Sequence, residues 1–181
     1  MRLSARMLVC ALVLSAWTGA ALAGPVTGVD VIMATVMQQK QSSFSGLGLR
    51  MRIHPPQLIQ QITLMPTIEY WRNRSNLDPF DIETTRRDAT LGFDARYDFD
   101  QGGWHPYVGL GYGLHFLSAE VDAPTYGLNN ASDSLIKGGV SVLGGLTFGL
   151  AGRLNNVIEL KYHHIPDQSQ LKFNWGLAID L

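Results

Sequence analysis

The sequence has almost no cysteine, no long apolar run and no large excess of charge. Cys10 is the only cysteine among 181 residues, which excludes an internal disulfide and a multi-cysteine metal cluster. The formal net charge is -1, so there is no basic stripe for nucleic acid and no nucleic-acid partner is expected. No apolar run reaches the roughly 20 residues that a helix needs to cross a bilayer. A membrane crossing by this chain would therefore be made by β-strands.

The N-terminal segment has the three-part layout of a secretory signal peptide. Two arginines near the start are followed by an apolar run from Met7 to Trp17 and by small residues that end at Ala23. We expect cleavage after Ala23, which removes residues 1–23 as the signal peptide and leaves residues 24–181 as one exported domain. Because Cys10 is removed with this segment, the mature chain is expected to have no thiol ligand and no cysteine nucleophile.

Alternation of polar and apolar residues predicts β-strands along the rest of the chain. From Asp88 to Phe99 every second residue is apolar or aromatic, and the residues between them are polar or glycine. A helix would repeat its apolar residues every 3.6 positions, so a period of two indicates strands. The predicted strands are Val26–Met37, Leu47–Ile53, Ile62–Trp71, Asp88–Phe99, Pro106–Leu117, Ile136–Leu150, Asn156–His164 and Gln170–Leu181. Among them, Val26–Met37 alternates least regularly.

These strands and their connections predict an all-β fold, a closed antiparallel up-and-down transmembrane β-barrel of about eight strands. Membrane strands need about 9–11 residues each, and an even number suits closure. Long polar loops are predicted at Arg74–Arg87 and Ala119–Ser134, and short turns at His54–Gln61, Asp100–His105 and Leu150–Asn155. Because outer-membrane barrels have short periplasmic turns and longer extracellular loops, the predicted location is the bacterial outer membrane.

The polar faces of the predicted strands carry charges of both signs. Alternation alone does not decide whether the apolar face contacts lipid or lines a soluble periplasmic ligand-binding barrel, which is the alternative. Charges inside a narrow barrel can pair across the lumen, and pairing offsets the free-energy cost of their desolvation. We therefore favour the membrane barrel and predict a structural charge network in its lumen. Its predicted members are Arg50, Arg52, Glu69, Asp94, Arg96, Glu159, Lys161 and Lys172.

Two neighbouring passages resemble a known family. Residues Leu91–Tyr97, LGFDARY, and Trp104–Gly113, WHPYVGLGYG, are similar to the central hairpin of the opacity-protein and OmpA-like outer-membrane barrels. The resemblance implies the fold more than an activity. For such a barrel we expect a non-enzymatic role, supporting the envelope and presenting extracellular loops for binding or adhesion. The expected partners are outer-membrane lipid and lipopolysaccharide, the barrel-assembly machinery and an unidentified ligand of the loops.

Candidate catalytic residues are few. Tyr162–Ile165 resembles the strand of lipid A deacylases in which a serine two residues after a histidine is the nucleophile. Here that position holds Ile165 or Pro166, and Ser169 follows in the next turn. We therefore expect no catalytic residues and no enzyme, with His163 and His164 as rim or lumen residues. A lipid A-modifying, deacylase-like enzyme is the alternative function.

Metal and cofactor sites are not expected from the sequence either. His54, His105 and His115 show no ligand spacing with an acidic residue or a cysteine, so they do not indicate a metal site. The alternating glycines of residues 109–113 lie within a predicted strand and are not a dinucleotide loop. The interior of an eight-stranded barrel is just filled by side chains, with Trp71 and Tyr107 among them here, so free diffusion of solutes is not expected.

Overall fold

The computed structural model describes residues 26–38, 43–77, 82–99, 102–123 and 128–181, and the predicted signal peptide lies outside these ranges. The described residues form eight strands, and none of them forms a helix long and apolar enough to cross a membrane. The strands are β1 (Val26–Gln38), β2 (Phe44–Ile53), β3 (Ile62–Leu77), β4 (Ile82–Asp98), β5 (Trp104–Ala123), β6 (Leu128–Ala151), β7 (Leu154–His164) and β8 (Gln170–Asp180). Each strand pairs antiparallel with the next, and β1 pairs with β8 to close the barrel. The predicted closed up-and-down barrel of eight strands is confirmed.

The two faces of each strand have opposite chemistry. On β5 the outward side chains Val108, Leu110 and Tyr112 are exposed, whereas Tyr107 and His115 point inward and are buried. The register sets outward residues of neighbouring strands side by side, so the exposed apolar side chains form a continuous belt around the barrel. Such a belt suits the hydrocarbon of a bilayer. A soluble barrel with an apolar lumen would require the opposite orientation.

Two hairpins are much longer than the sequence predicted. The β3–β4 and β5–β6 ladders continue to the last described residues of these strands. The prediction of loops over Arg74–Arg87 and Ala119–Ser134 is therefore wrong for the described residues in these two ranges. Above the membrane both faces of a sheet can contact water. Polar residues can therefore continue the backbone ladder there without the apolar face from which strands were predicted.

The long hairpins give the barrel an uneven rim. On one flank, β2 pairs with β3 only as far as Trp71, and on the other, β7 pairs with β6 only as far as Val140. Four strand segments rise above these points as one sheet, which we call the hairpin wall. The wall consists of residues 72–77, 82–87, 118–123 and 128–134.

The opposite end of the barrel carries the start of β1, the end of β8 and short turns. The β4–β5 turn contains Gly102 and Gly103 and the β6–β7 turn contains Gly152, all with positive φ angles, at 58°, 28° and 57°. Glycine adopts this left-handed backbone at little steric cost, which allows such tight reversals. The wall and the short turns therefore lie at opposite ends, as expected for the two sides of an outer membrane.

Candidate functional site in the barrel interior and at its rim

A buried ion pair crosses the middle of the lumen. Arg50 on β2 donates through Nη1 and Nη2 to the two carboxylate oxygens of Glu159 on β7, at 2.7 and 2.5 Å. The hydroxyl of Tyr107 and the side-chain amide of Asn174 also donate to Glu159, at 3.0 and 2.7 Å. Both charged side chains are fully buried. A bidentate pair with further donors is the arrangement that best offsets desolvation.

Two lysines and two carboxylates extend this layer. The Nζ of Lys161 lies 2.7 Å from Asp94 and 3.5 Å from Glu69, and the Nζ of Lys172 lies 2.5 Å from Glu69. All four residues are buried. With Arg50 and Glu159 they form a central network of three cations and three anions. The network is therefore neutral as a unit.

The other two predicted residues lie toward the short turns. Arg52 contacts Asp30 and Asp180, both at 2.8 Å, and Arg96 contacts Asp98 at 3.0 Å. These three aspartates were not in the predicted set. Asp30 was missed because its strand alternates poorly. The structure thus places all eight predicted charged residues in the interior and brings six of them together in the central network.

A cluster of histidines toward the wall was also missed. Asp88 on β4 and His115 on β5 are in contact, with 2.8 Å between Asp88 Oδ2 and His115 Nδ1, and Thr90 Oγ1 lies 2.9 Å from the same nitrogen. The ring of His163 lies 4.7 Å from that of His115. His163 is buried in the lumen, whereas His164 is exposed on the outer rim. Only the register between strands could have revealed the cluster.

The turn between β7 and β8 holds a histidine and a serine in contact. His164 Nδ1 lies 3.1 Å from Ser169 Oγ on the exposed outer side. Lys137 fixes the same turn, because its Nζ donates to the carbonyl of Pro166 at 2.9 Å and contacts Asp167 at 3.2 Å. As the sequence indicated, neither His163 nor His164 has a serine two residues later. The turn nevertheless brings Ser169 into contact with the ring of His164.

The register also locates the upper boundary of the apolar belt on the flank that carries the wall. One outward row of paired residues consists of Tyr70, Ala89, Phe116 and Ile136. The next outward row consists of Arg72, Arg87, Ser118 and Ser134. The outer surface therefore changes from apolar to polar within one step along the strands.

Bulky side chains cover the lumen on its wall side. Val36, Phe44 and Trp71 form a buried cluster, with 4.4 Å between the two aromatic ring centroids. Above them lies an open cavity of about 220 Å³, lined by polar and apolar residues that include Gln38 and Arg86. The described part of the interior is thus filled by side chains.

Comparison with known proteins agrees with this architecture. A family model described as "Opacity family porin protein" matches residues 66–177. The structure of Ail, the attachment invasion locus protein of Yersinia pestis, in complex with the heparin analogue sucrose octasulfate is similar, with a TM-score of 0.62, 12% identity, and coverage of 87% of this chain and 99% of Ail. Neisserial surface protein A (NspA) is also similar, with a TM-score of 0.57, 18% identity, and coverage of 86% of this chain and 96% of NspA.

A major outer membrane protein from Thermus thermophilus is similar as well, with a TM-score of 0.62, 11% identity, and coverage of 87% of this chain and 100% of that protein. No curated protein sequence is significantly similar to this chain. At these identities the structural likeness shows the fold alone, which is that of small outer-membrane β-barrels.

Proposed function

The chain belongs to the Opacity family of porin proteins, and we propose that it is a non-enzymatic outer-membrane barrel that supports the envelope and presents its hairpin wall for binding or adhesion. The observation that carries this proposal is the wall itself, which rises from one flank above the apolar belt. A strand ladder that extends this far beyond the membrane can contact molecules outside the cell. In this proposal the mature domain is residues 24–181, released by cleavage after Ala23.

The charge of the wall bears on the kind of ligand. Its arginines are Arg72, Arg74, Arg86 and Arg87, and its carboxylates are Glu83, Glu120, Asp122 and Asp133. Two of the arginines form ion pairs on the outer face: Arg74 pairs with Glu83, and Arg87 pairs with Glu120. Since the charges balance, a polyanion such as the heparin analogue in the Ail complex finds no basic surface here. A ligand of mixed polarity fits the wall better.

The central network supports a structural role for the lumen. Its six charged groups are neutral together and fill the cross-section along with Tyr107 and Asn174. An eight-stranded barrel has room for little else. We therefore propose that the network holds the strands together and that the closed barrel does not conduct. Purified barrel in planar bilayers is expected to give no steady ionic current, and stable single-channel steps would contradict this.

Lipopolysaccharide is the proposed lipid partner, at the boundary row of the outer surface. Arg72 and Arg87 are directly opposite each other on β3 and β4, one row above Tyr70. Like charges at paired positions repel each other, and Glu120 contacts Arg87 at 3.1 Å, which offsets only one of them. A lipid A phosphate at this height would satisfy both guanidinium groups. The barrel-assembly machinery is proposed as the partner during insertion.

A cellular experiment separates envelope support from adhesion. Cells lacking the protein are complemented with the full chain or with a chain whose β3–β4 and β5–β6 hairpins are shortened to the height of the belt. Leakage of a periplasmic enzyme reports support, and retention on epithelial monolayers and on glass reports adhesion. We expect both chains to restore containment and only the full chain to restore retention. Unchanged leakage and retention after deletion would contradict the proposal.

The lipid contact is tested separately. Arg72→Gln combined with Arg87→Gln is expected to reduce co-purifying lipopolysaccharide several-fold, while Arg86→Gln, on the inner face of the wall, leaves it unchanged. Equal lipopolysaccharide in all three samples would remove Arg72 and Arg87 as its site.

The contact between His164 and Ser169 favours a second candidate function, hydrolysis of a lipid ester at the rim. A ring nitrogen 3.1 Å from a hydroxyl can act as its general base. Within the described residues no carboxylate hydrogen-bonds to the His164 ring, so the pair lacks the third member of a triad. Fatty-acid release from purified lipid A by the wild type, but not by Ser169→Ala, would establish this activity. No release by the wild type would exclude it.

A further inference from the structure

Three buried side chains toward the wall end of the lumen have polar atoms without hydrogen-bond partners among the described residues. The atoms are Nε2 of His115, both ring nitrogens of His163 and both side-chain amide atoms of Gln170. None of the three side chains is more than 1% exposed. Buried polar groups in native proteins almost always have partners. Five such atoms on three neighbouring side chains call for a partner, which can be water, an ion or another ligand.

The strand register brings these groups around one small space. His163 and Gln170 are directly opposite on β7 and β8, and the rings of His115 and His163 are 4.7 Å apart. Gly113 and Gly139 are paired beside them, and because they have no side chains the imidazole rings lie close to the sheet there. A Cβ on Gly113 would lie 3.3 Å from Nε2 of His163 and 3.4 Å from Nε2 of His115. Both Nε2 atoms therefore border the same space.

Asp88 orients one of the two rings. Its carboxylate contacts Nδ1 of His115 at 2.8 Å, which places the proton of a neutral ring on Nδ1 and leaves the lone pair on Nε2. A carboxylate behind the distal nitrogen is the usual support of a metal-binding histidine. Lys161 and Lys172 lie nearby, and their ion pairs with Asp94 and Glu69 offset part of their repulsion of a cation. Asp88 itself has only Thr90 and His115 as side-chain partners within the described ranges.

We propose that this cluster binds one divalent transition-metal ion, through Nε2 of His115, a ring nitrogen of His163 and the amide oxygen of Gln170. Imidazole ligands favour Zn²⁺, Cu²⁺ and Ni²⁺ over Mg²⁺ and Ca²⁺. Asp88 is a positioning residue, and the ion neutralises it. The site has no sequence motif because its ligands come from three strands. The inference is independent of the proposed adhesion.

The test uses the full barrel refolded in detergent with ZnCl₂ and freed of unbound metal, with metal content measured by mass spectrometry. We expect about one zinc per chain in the wild type. His115→Asn and His163→Asn are expected to lose it, and Asp88→Asn to weaken affinity about 10- to 100-fold. His105→Asn, at an exposed position at the start of β5, is the matched control and is expected to keep the metal.

Folding is checked in each sample by the change of gel mobility on boiling. If His163→Asn does not fold, His115→Asn and Gln170→Ala provide the same comparison. A wild-type barrel that retains no zinc overturns the proposal whatever the variants do. Zinc that persists in both histidine variants overturns it as well, because the metal then lies elsewhere.

Discussion

Replacing Glu159 with alanine is expected to destabilise the barrel strongly. The change removes the only carboxylate that contacts Arg50 among the described residues. It also leaves the Tyr107 hydroxyl and the Asn174 amide without the acceptor to which they donate. Arg50 is fully buried and cannot reach water without rearrangement of the lumen. Breaking a buried pair by removing one partner costs about 3–5 kcal/mol. We therefore expect a loss of about 3–5 kcal/mol in the free energy of unfolding, with the upper end favoured by the two stranded donors.

Urea unfolding in lipid vesicles, followed by tryptophan fluorescence and by mobility on unboiled gels, measures this loss. Glu83→Ala is the matched control, because its ion pair with Arg74 is exposed on the wall and such pairs contribute about 0–1 kcal/mol. A loss for Glu159→Ala within about 1 kcal/mol of this control would refute the reasoning.

A double variant separates charge from volume. Arg50→Met with Glu159→Leu removes both charges and keeps apolar bulk in the lumen. Such replacements are often neutral or stabilising by about 1–4 kcal/mol. We expect the double variant to be more stable than Glu159→Ala, although Tyr107 and Asn174 still lack their acceptor.

Two further predictions concern close approach and lipid contact. Gly176→Ala is expected to abolish the boiling-dependent mobility shift, because its Cβ would overlap the carbonyl oxygen of Val31 in the neighbouring strand. Gly92→Ala is the control and is expected to keep the shift, because the nearest atom to its Cβ would be 3.6 Å away. Normal folding of Gly176→Ala would contradict the β1–β8 geometry. Leu110→Arg, in the middle of the apolar belt, is expected to cost about 2–4 kcal/mol in urea unfolding, and Ser132→Arg on the wall less than about 0.5 kcal/mol; equal costs would contradict the position of the belt.

The strands inside the membrane were predictable because a bilayer on one side and a polar lumen on the other impose a period of two. Asp88–Phe99 shows this best, and all of it but Phe99 lies in β4. The wall was not predictable from the same signal. Residues 72–77 and 82–87 meet water on their outer face, so no apolar face remains to mark them as strands, and only the backbone ladder identifies them.

The charged residues were predictable as a set, but their partners were not. Arg50 and Glu159 are 109 positions apart and lie on β2 and β7, which are not neighbours. Which side chains meet across the lumen depends on the stagger of all the strands around the barrel. The same holds for Asp88 and His115, which are near each other only once β4 and β5 are in register.

The contact between β1 and β8 has a consequence for how the molecule forms. Every other ladder joins strands that follow one another, so each can form locally as a hairpin. The eleven pairs from Gly28↔Asp180 to Gln38↔Gln170 instead require the first and last strands to meet. Joining two strands about 150 residues apart in a flexible chain costs roughly 4 kcal/mol of chain entropy, and prior formation of the other seven ladders lowers this cost. Until then both end strands expose unpaired N–H and C=O groups, which a bilayer does not tolerate. Partly assembled forms are thus short-lived in lipid, and closure of this seam is the step that makes insertion all-or-none.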